Sequence, residues 1–87
     1  MFRMVVEDVF LIRGRGVVTT GRVETGQLHV GDDLQVNGGL VVTVAAIEAF
    51  RKKLAEANPG DNVGLVFAGV ERRQLKPGDV LTSPTVS

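Results

Sequence analysis

Glycine and proline recur at short intervals through this 87-residue chain, separating runs rich in Val, Ile and Thr. That punctuation leaves room for short strands joined by tight turns and for little else. Met4–Phe10 reads as a first strand, with Val5, Glu7 and Val9 on one side and Val6, Asp8 and Phe10 on the other. Neither side is cleanly apolar. Gly16–Glu24 reads as the second strand, Thr25-Gly26 as a turn and Gln27–Val30 as a short third strand. A turn at Val30-Gly31-Asp32-Asp33 leads into a fourth, Asp33–Val36. Asn37-Gly38-Gly39 is a strong hairpin signal, because consecutive glycines take positive φ at little steric cost. Leu40–Phe50 follows as a long strand, although Phe50–Ala57 (F-R-K-K-L-A-E-A) also fits about two turns of helix. Asn58-Pro59-Gly60-Asp61 reverses the chain into Asn62–Ala68, and Lys76-Pro77-Gly78-Asp79 reverses it again into Val80–Thr82. Six to eight short strands at this spacing favour an all-β closed barrel or sandwich over a β-α-β fold. With no repeat and no linker, residues 1–87 read as a single domain, residues 84–87 forming a frayed tail.

A chain this short buries roughly 60–65% of the surface its unfolded form exposes, so its margin of stability is thin. It has no cysteine, which removes a disulfide framework, a thiolate nucleophile and any zinc–cysteine site. A reducing, cytoplasmic setting is expected. Ten basic and ten acidic residues balance to zero, so binding to nucleic acid would require a local patch. The opening M-F-R-M-V-V-E-D lacks the apolar core of a signal peptide, and no apolar run reaches membrane-spanning length. Neither a membrane nor DNA is expected as a partner.

The stretch G14-R-G-V-V-T-T-G-R-V-E-T-G26 invites a phosphate-binding reading. Its glycines, however, are spaced G-x-G-x4-G and lead into a strand pattern, and no G-x-x-x-x-G-K-[ST] occurs anywhere. They read as turn and bulge residues. His29, the one histidine, has no serine or cysteine motif nearby, and Asp32-Asp33 reads as a solvated turn. Glu7 and Asp8 are adjacent in a strand, so they point to opposite faces. No catalysis, metal or cofactor is expected. The segment Glu48-Ala49-Phe50-Arg51 is richer: a carboxylate to accept a ribose hydroxyl, an aromatic to pack a base, a guanidinium to bond a phosphate. The plainer reading is a charged strand end with Phe50 in the core. Arg51-Lys52-Lys53 and Arg72-Arg73 would make a basic patch if the fold brought them together. With no Tyr or Trp and four Phe, the chain offers a site for a single nucleotide at most.

Five stretches in order, E7-D-V-F10, G14-R-G-V-V-T-T-G-R-V-E-T-G26, I47-E-A-F-R-K53, P59-G-D-N-V-G64 and L75-K-P-G-D-V-L81, resemble the second domain of bacterial elongation factor Tu. The likeness runs from about Phe2 to Pro84 and implies a small closed or nearly closed antiparallel β-barrel. By this resemblance the barrel helps hold the 3′ end of aminoacyl-tRNA. Glu48 matches the residue that bonds the terminal ribose 2′-hydroxyl. Ile12, Gly14, Val18 and Val66 match the apolar pocket for adenine. Arg51 matches a residue beside the tRNA end, Asn62 one close to the aminoacyl group, and Glu7 and Asp8 an acidic pair near the amino acid. The implied partners are an aminoacyl-tRNA acceptor end and, in the alternative reading as a docking module, a GTP-binding domain or ribosomal component. The chain departs from the family with Val5 where proline is usual and Val17 near a usual threonine. Its segment Gly38–Ala46 is shorter and more apolar than its counterpart, predicting a tighter hairpin.

Overall fold

The structure, a computed structural model, describes residues 1–84; the tail expected at 84–87 lies outside the described residues beyond Pro84. Among the described residues nine strands run β1 Arg3–Ile12, β2 Gly16–Thr25, β3 Leu28–His29, β4 Asp33–Val36, β5 Val41–Ala49, β6 Lys52–Leu54, β7 Glu56–Ala57, β8 Asn62–Phe67 and β9 Val80–Thr82. A 3-10 turn at Arg72–Gln74 precedes β9. The strand order is β4-β9-β1-β2-β8-β5-β6, and a further β4–β5 pairing closes the first six of these into an antiparallel barrel. The sandwich alternative is thereby set aside. β6 extends the sheet as a hairpin on β5, and β3 pairs with β7 apart from it.

The barrel is filled by alternate residues: Val17 and Val23 from β2, Val42, Val44 and Ile47 from β5, Val63, Leu65 and Phe67 from β8, with Leu34 and Leu81 from β4 and β9. β1 breaks the alternation, and the reason is a bulge. Val6 pairs with Gly21 and Asp8 with Thr20, so Glu7 is an extra residue without a partner in the register. The bulge resets the period, letting Met4, Val6 and Val9 all reach the core while Glu7 and Asp8 stay exposed. A second irregularity in β5, between Val44 and Ala46, does the same for Val44 and Ile47.

The segment 50–57 is not helical. Ile47 pairs with Leu54 and Ala49 with Lys52, so the chain folds straight back as a hairpin, and Ala57 is buried beside Leu28 through the β3–β7 pair. The β4–β5 connection is tight, as expected: the Gly39 N–H donates to the Val36 carbonyl at 2.9 Å and the Val36 N–H to the Leu40 carbonyl at 2.8 Å.

Three turns share one construction, two at the expected residues and one a residue earlier than the expected Val30–Asp33. In His29–Asp32, Asn58–Asp61 and Lys76–Asp79, the last N–H donates to the first carbonyl at 3.0–3.1 Å. The aspartate carboxylate then accepts the first residue's N–H, at 2.8, 2.8 and 3.0 Å respectively. The third residue is glycine with φ near +90°, a value at which a side chain is strained (Gly31 97°, Gly60 91°, Gly78 95°). The chain reuses this one device immediately ahead of β4, β8 and β9.

One core position is imperfect. Thr19 is fully buried in the barrel and its Oγ1 has no hydrogen-bond partner among the described residues. Thr19→Val swaps that hydroxyl for a methyl of the same shape and removes an unsatisfied polar group. It should raise the unfolding free energy by about 1 kcal/mol in urea melts.

Candidate functional site

The outer faces of β1, β2, β8 and β5 form one continuous surface. Across it runs an apolar row, Phe10 paired with Val18, Val18 with Val66, and Val66 with Ala46. The neighbouring row is polar and notched: Asp8 with Thr20, Thr20 with Gly64, and Gly64 with Glu48. Gly64 contributes no side chain, so the row dips between Thr20 and Glu48; a Cβ there would come within 3.4 Å of Val18 Cγ1. The dip is the floor of a cleft of about 640 Å³, walled by Glu7, Arg15, Glu48, Phe50, Arg51 and Asn62.

The wall nearest β5 is built by its hairpin with β6. Phe50 and Arg51 form a two-residue loop between the paired Ala49 and Lys52, both at positive φ, 51° and 65°. Two positive-φ residues are what a hairpin loop of this length demands, and Asn-Gly is the usual answer. Here a phenylalanine and an arginine occupy those positions, and Phe50 is 90% exposed. The strand therefore ends at Ala49, and Phe50 is not a core residue.

The opposite rim is the turn between β1 and β2. The Arg15 N–H donates to the Ile12 carbonyl at 3.0 Å, and the positive-φ Gly14 and Gly16 on either side let the chain reverse. The Arg15 side chain pairs with Glu48, through Nη2 and Oε2. Arg15 also lines a second hollow beside the first, together with Leu11, Ile12, Arg13, Gly14 and Gly69.

The structure thus sorts the expected site residues. Glu7, Glu48, Arg51 and Asn62 share the main cleft, and Ile12 and Gly14 line the adjoining hollow across Arg15. Val18 and Val66 are a cross-strand pair, both buried although they stand outside the core cluster. Asp8 is exposed and outside the cleft lining; the bulge, rather than simple alternation, separates it from Glu7. The side chains of Arg51 and Asn62 make no hydrogen bond or ion pair among the described residues, which leaves both available to a ligand. The two basic clusters stay apart: Arg51–Lys53 lie at the β5–β6 hairpin, whereas the turn holding Arg72 and Arg73 contacts β1, three strands away around the barrel in either direction.

Arg15 and Gly64 line this cleft without having been named as site residues in the sequence. Arg15 carries a signal in hindsight, a cation held between two glycines at a turn. Gly64 carries another, a glycine within a strand pattern, which marks close approach or a missing side chain.

A closed six-stranded barrel with a polar, glycine-floored cleft on its outer face defines a β-barrel module. Its lineage is equally plain. The chain belongs to the elongation factor Tu domain 2 family, whose model, described as Elongation factor Tu domain 2, matches residues 16–82. It is a translation-factor domain 2-like module, and Val18, Glu48, Arg51, Asn62 and Val66 fall within the matched span.

Proposed function

We propose that the outer cleft holds the aminoacylated 3′ end of tRNA, with the terminal adenosine as the group bound, and that the module performs no catalysis of its own. The observation that carries this reading is the convergence of Glu48, Arg51 and Asn62 on one open cleft beside an exposed Phe50. Glu48 accepts the ribose 2′-hydroxyl. Its Oε2 is engaged by Arg15, which leaves Oε1 for the hydroxyl. The base lies against Ile12 and Gly14 on the far side of Arg15, and the amino acid lies toward Asn62 and Glu7. The setting is the cytoplasm, where charged tRNA is found.

One stacked base contributes ~1–3 kcal/mol and a charge-assisted hydrogen bond a similar amount. Set against the cost of association, the lone barrel should bind in the millimolar range or weaker. The test is a nitrogen-15 amide titration with a short aminoacylated acceptor-end RNA, then with its uncharged form. Shifts should concentrate at Ile12–Val18, Glu48–Arg51 and Asn62–Val66. Glu48→Ala should weaken binding about tenfold. An unchanged affinity in that variant would sink the assignment.

A second reading rests on the consecutive exposed apolar residues Phe10, Leu11 and Ile12, at 48%, 65% and 39% exposure. Such a run suits a protein partner, a GTP-binding domain or ribosomal component, docking without RNA. Shifts confined to Phe10–Ile12 on adding a GTP-binding domain, with none from RNA, would favour it over the first.

A further inference from the structure

Asn37 is the one asparagine in the chain followed by glycine. Asn58 precedes Pro59, whose nitrogen carries no hydrogen, and Asn62 precedes the β-branched Val63. Asn37 lies in the exposed β4–β5 turn at φ 50°, and its side chain acts as a clasp. Nδ2 donates to Oδ1 of Asp79 at 3.1 Å, Oδ1 accepts the Val80 N–H at 2.9 Å, and its own backbone N–H donates to the Val80 carbonyl at 2.8 Å. The clasp matters because the β4–β9 seam has two register pairs, Gln35 with Thr82 and Val36 with Leu81. The Gly38 N–H donates no hydrogen bond among the described residues. An unhindered, unengaged backbone N–H one residue beyond a carboxamide is what succinimide formation requires.

We propose that Asn37 is a deamidation site whose conversion unfastens the β4–β9 seam of the barrel. The Gly38 nitrogen attacks Cγ of Asn37. A N–Cγ bond forms, the Cγ–Nδ2 bond breaks, and ammonia leaves with the proton given up by the Gly38 amide. Water then opens the ring at one of its two C–N bonds, leaving aspartate or isoaspartate at position 37. Both products lose the amide donor facing Asp79, and the aspartate puts a second carboxylate in its place. Asp79 is buried, and its other oxygen already accepts the Lys76 N–H at 3.0 Å, so in the aspartate product two acceptor carboxylates face each other with no donor between them. The isoaspartate adds a methylene to the main chain within the turn as well. In the folded protein, Cγ reaches the Gly38 nitrogen once the side chain has left Asp79 and Val80. The rate of modification therefore reports opening of the seam.

The experiment incubates the intact protein in mildly alkaline buffer, native and in urea, and maps the peptides by mass. The expected result is the mass rise of an NH₂-to-OH exchange at Asn37, absent at Asn58 and Asn62, and several-fold slower in the native protein than in urea. Asn37→Asp should lower the melting temperature, and adding Asp79→Asn should restore much of the loss by reversing donor and acceptor. No conversion at Asn37 in urea, equal native and unfolded rates, an Asn37→Asp variant melting with the parent, or a double variant without rescue would each overturn the proposal.

Discussion

Gly21→Ala is expected to cost about 3 kcal/mol of folding stability, enough to bring a domain of this size close to unfolding at room temperature. Gly21 lies on β2 opposite Val6, immediately before the β1 bulge, and on its other side pairs with Val63. A Cβ built there would stand 2.5 Å from the Val5 carbonyl oxygen and 3.2 Å from two atoms of Met4. Met4 can shift its side chain, but it is fully buried in a filled barrel; the Val5 carbonyl belongs to a strand held by pairing on both sides. Neither neighbour yields cheaply. Gly64→Ala is the control, because its Cβ meets nothing closer than 3.4 Å and that atom is the end of a side chain. Urea melts of the two variants should separate them clearly, with Gly64→Ala near the parent. A Gly21→Ala melt coincident with the parent would refute the account of the bulge as the place where β1 presses on β2.

The bulge also shows where the sequence stops being informative. Strand existence was legible because Gly, Pro, Asn and Asp sit where positive φ or an Asx turn is needed, and β4 and β9 fall on the expected residues, Asp33–Val36 and Val80–Thr82. The two mixed faces of β1 were not legible. A period-2 reading assumes every residue has a partner, and Glu7 has none. The hairpin at Phe50-Arg51 was hidden for the opposite reason. Its loop residues contradict the usual preference for Asn-Gly, while Phe50, Leu54 and Ala57 carry a helical spacing that the structure does not use. As for the cleft, Glu48, Phe50 and Arg51 were visible as a local cluster, and the rest of the expected site came from family resemblance. The Arg15–Glu48 pair joins a turn to a strand in a distant part of the chain, and no local pattern announces such a contact.

Replacing the β5–β6 loop by Phe50→Asn with Arg51→Gly should stabilise the barrel by about 2 kcal/mol while weakening its hold on an acceptor-end RNA. The stabilisation follows from backbone geometry alone. Each non-glycine residue held in the left-handed region costs roughly 1–2 kcal/mol, and asparagine and glycine carry less of that cost or none. Taking a 90% exposed phenylalanine off the tip loses no core contact to offset the gain. The weakening follows from position, since Phe50 and Arg51 line the same cleft as Glu48 and Asn62. Opposite signs in the two measurements would identify strain retained at a binding site. Equilibrium unfolding and the RNA titration, run on the single and double variants, separate the possibilities. No gain in stability would mean the loop is not strained. A gain with undiminished RNA binding would take the tip out of the site, leaving Glu48 and the hollow around Ile12 to carry recognition. An Arg51→Lys variant decides what remains: lysine keeps the charge and most of the strain but loses the planar fork, so a drop in affinity without a change in melting would assign Arg51 to bidentate contact with the terminal phosphate.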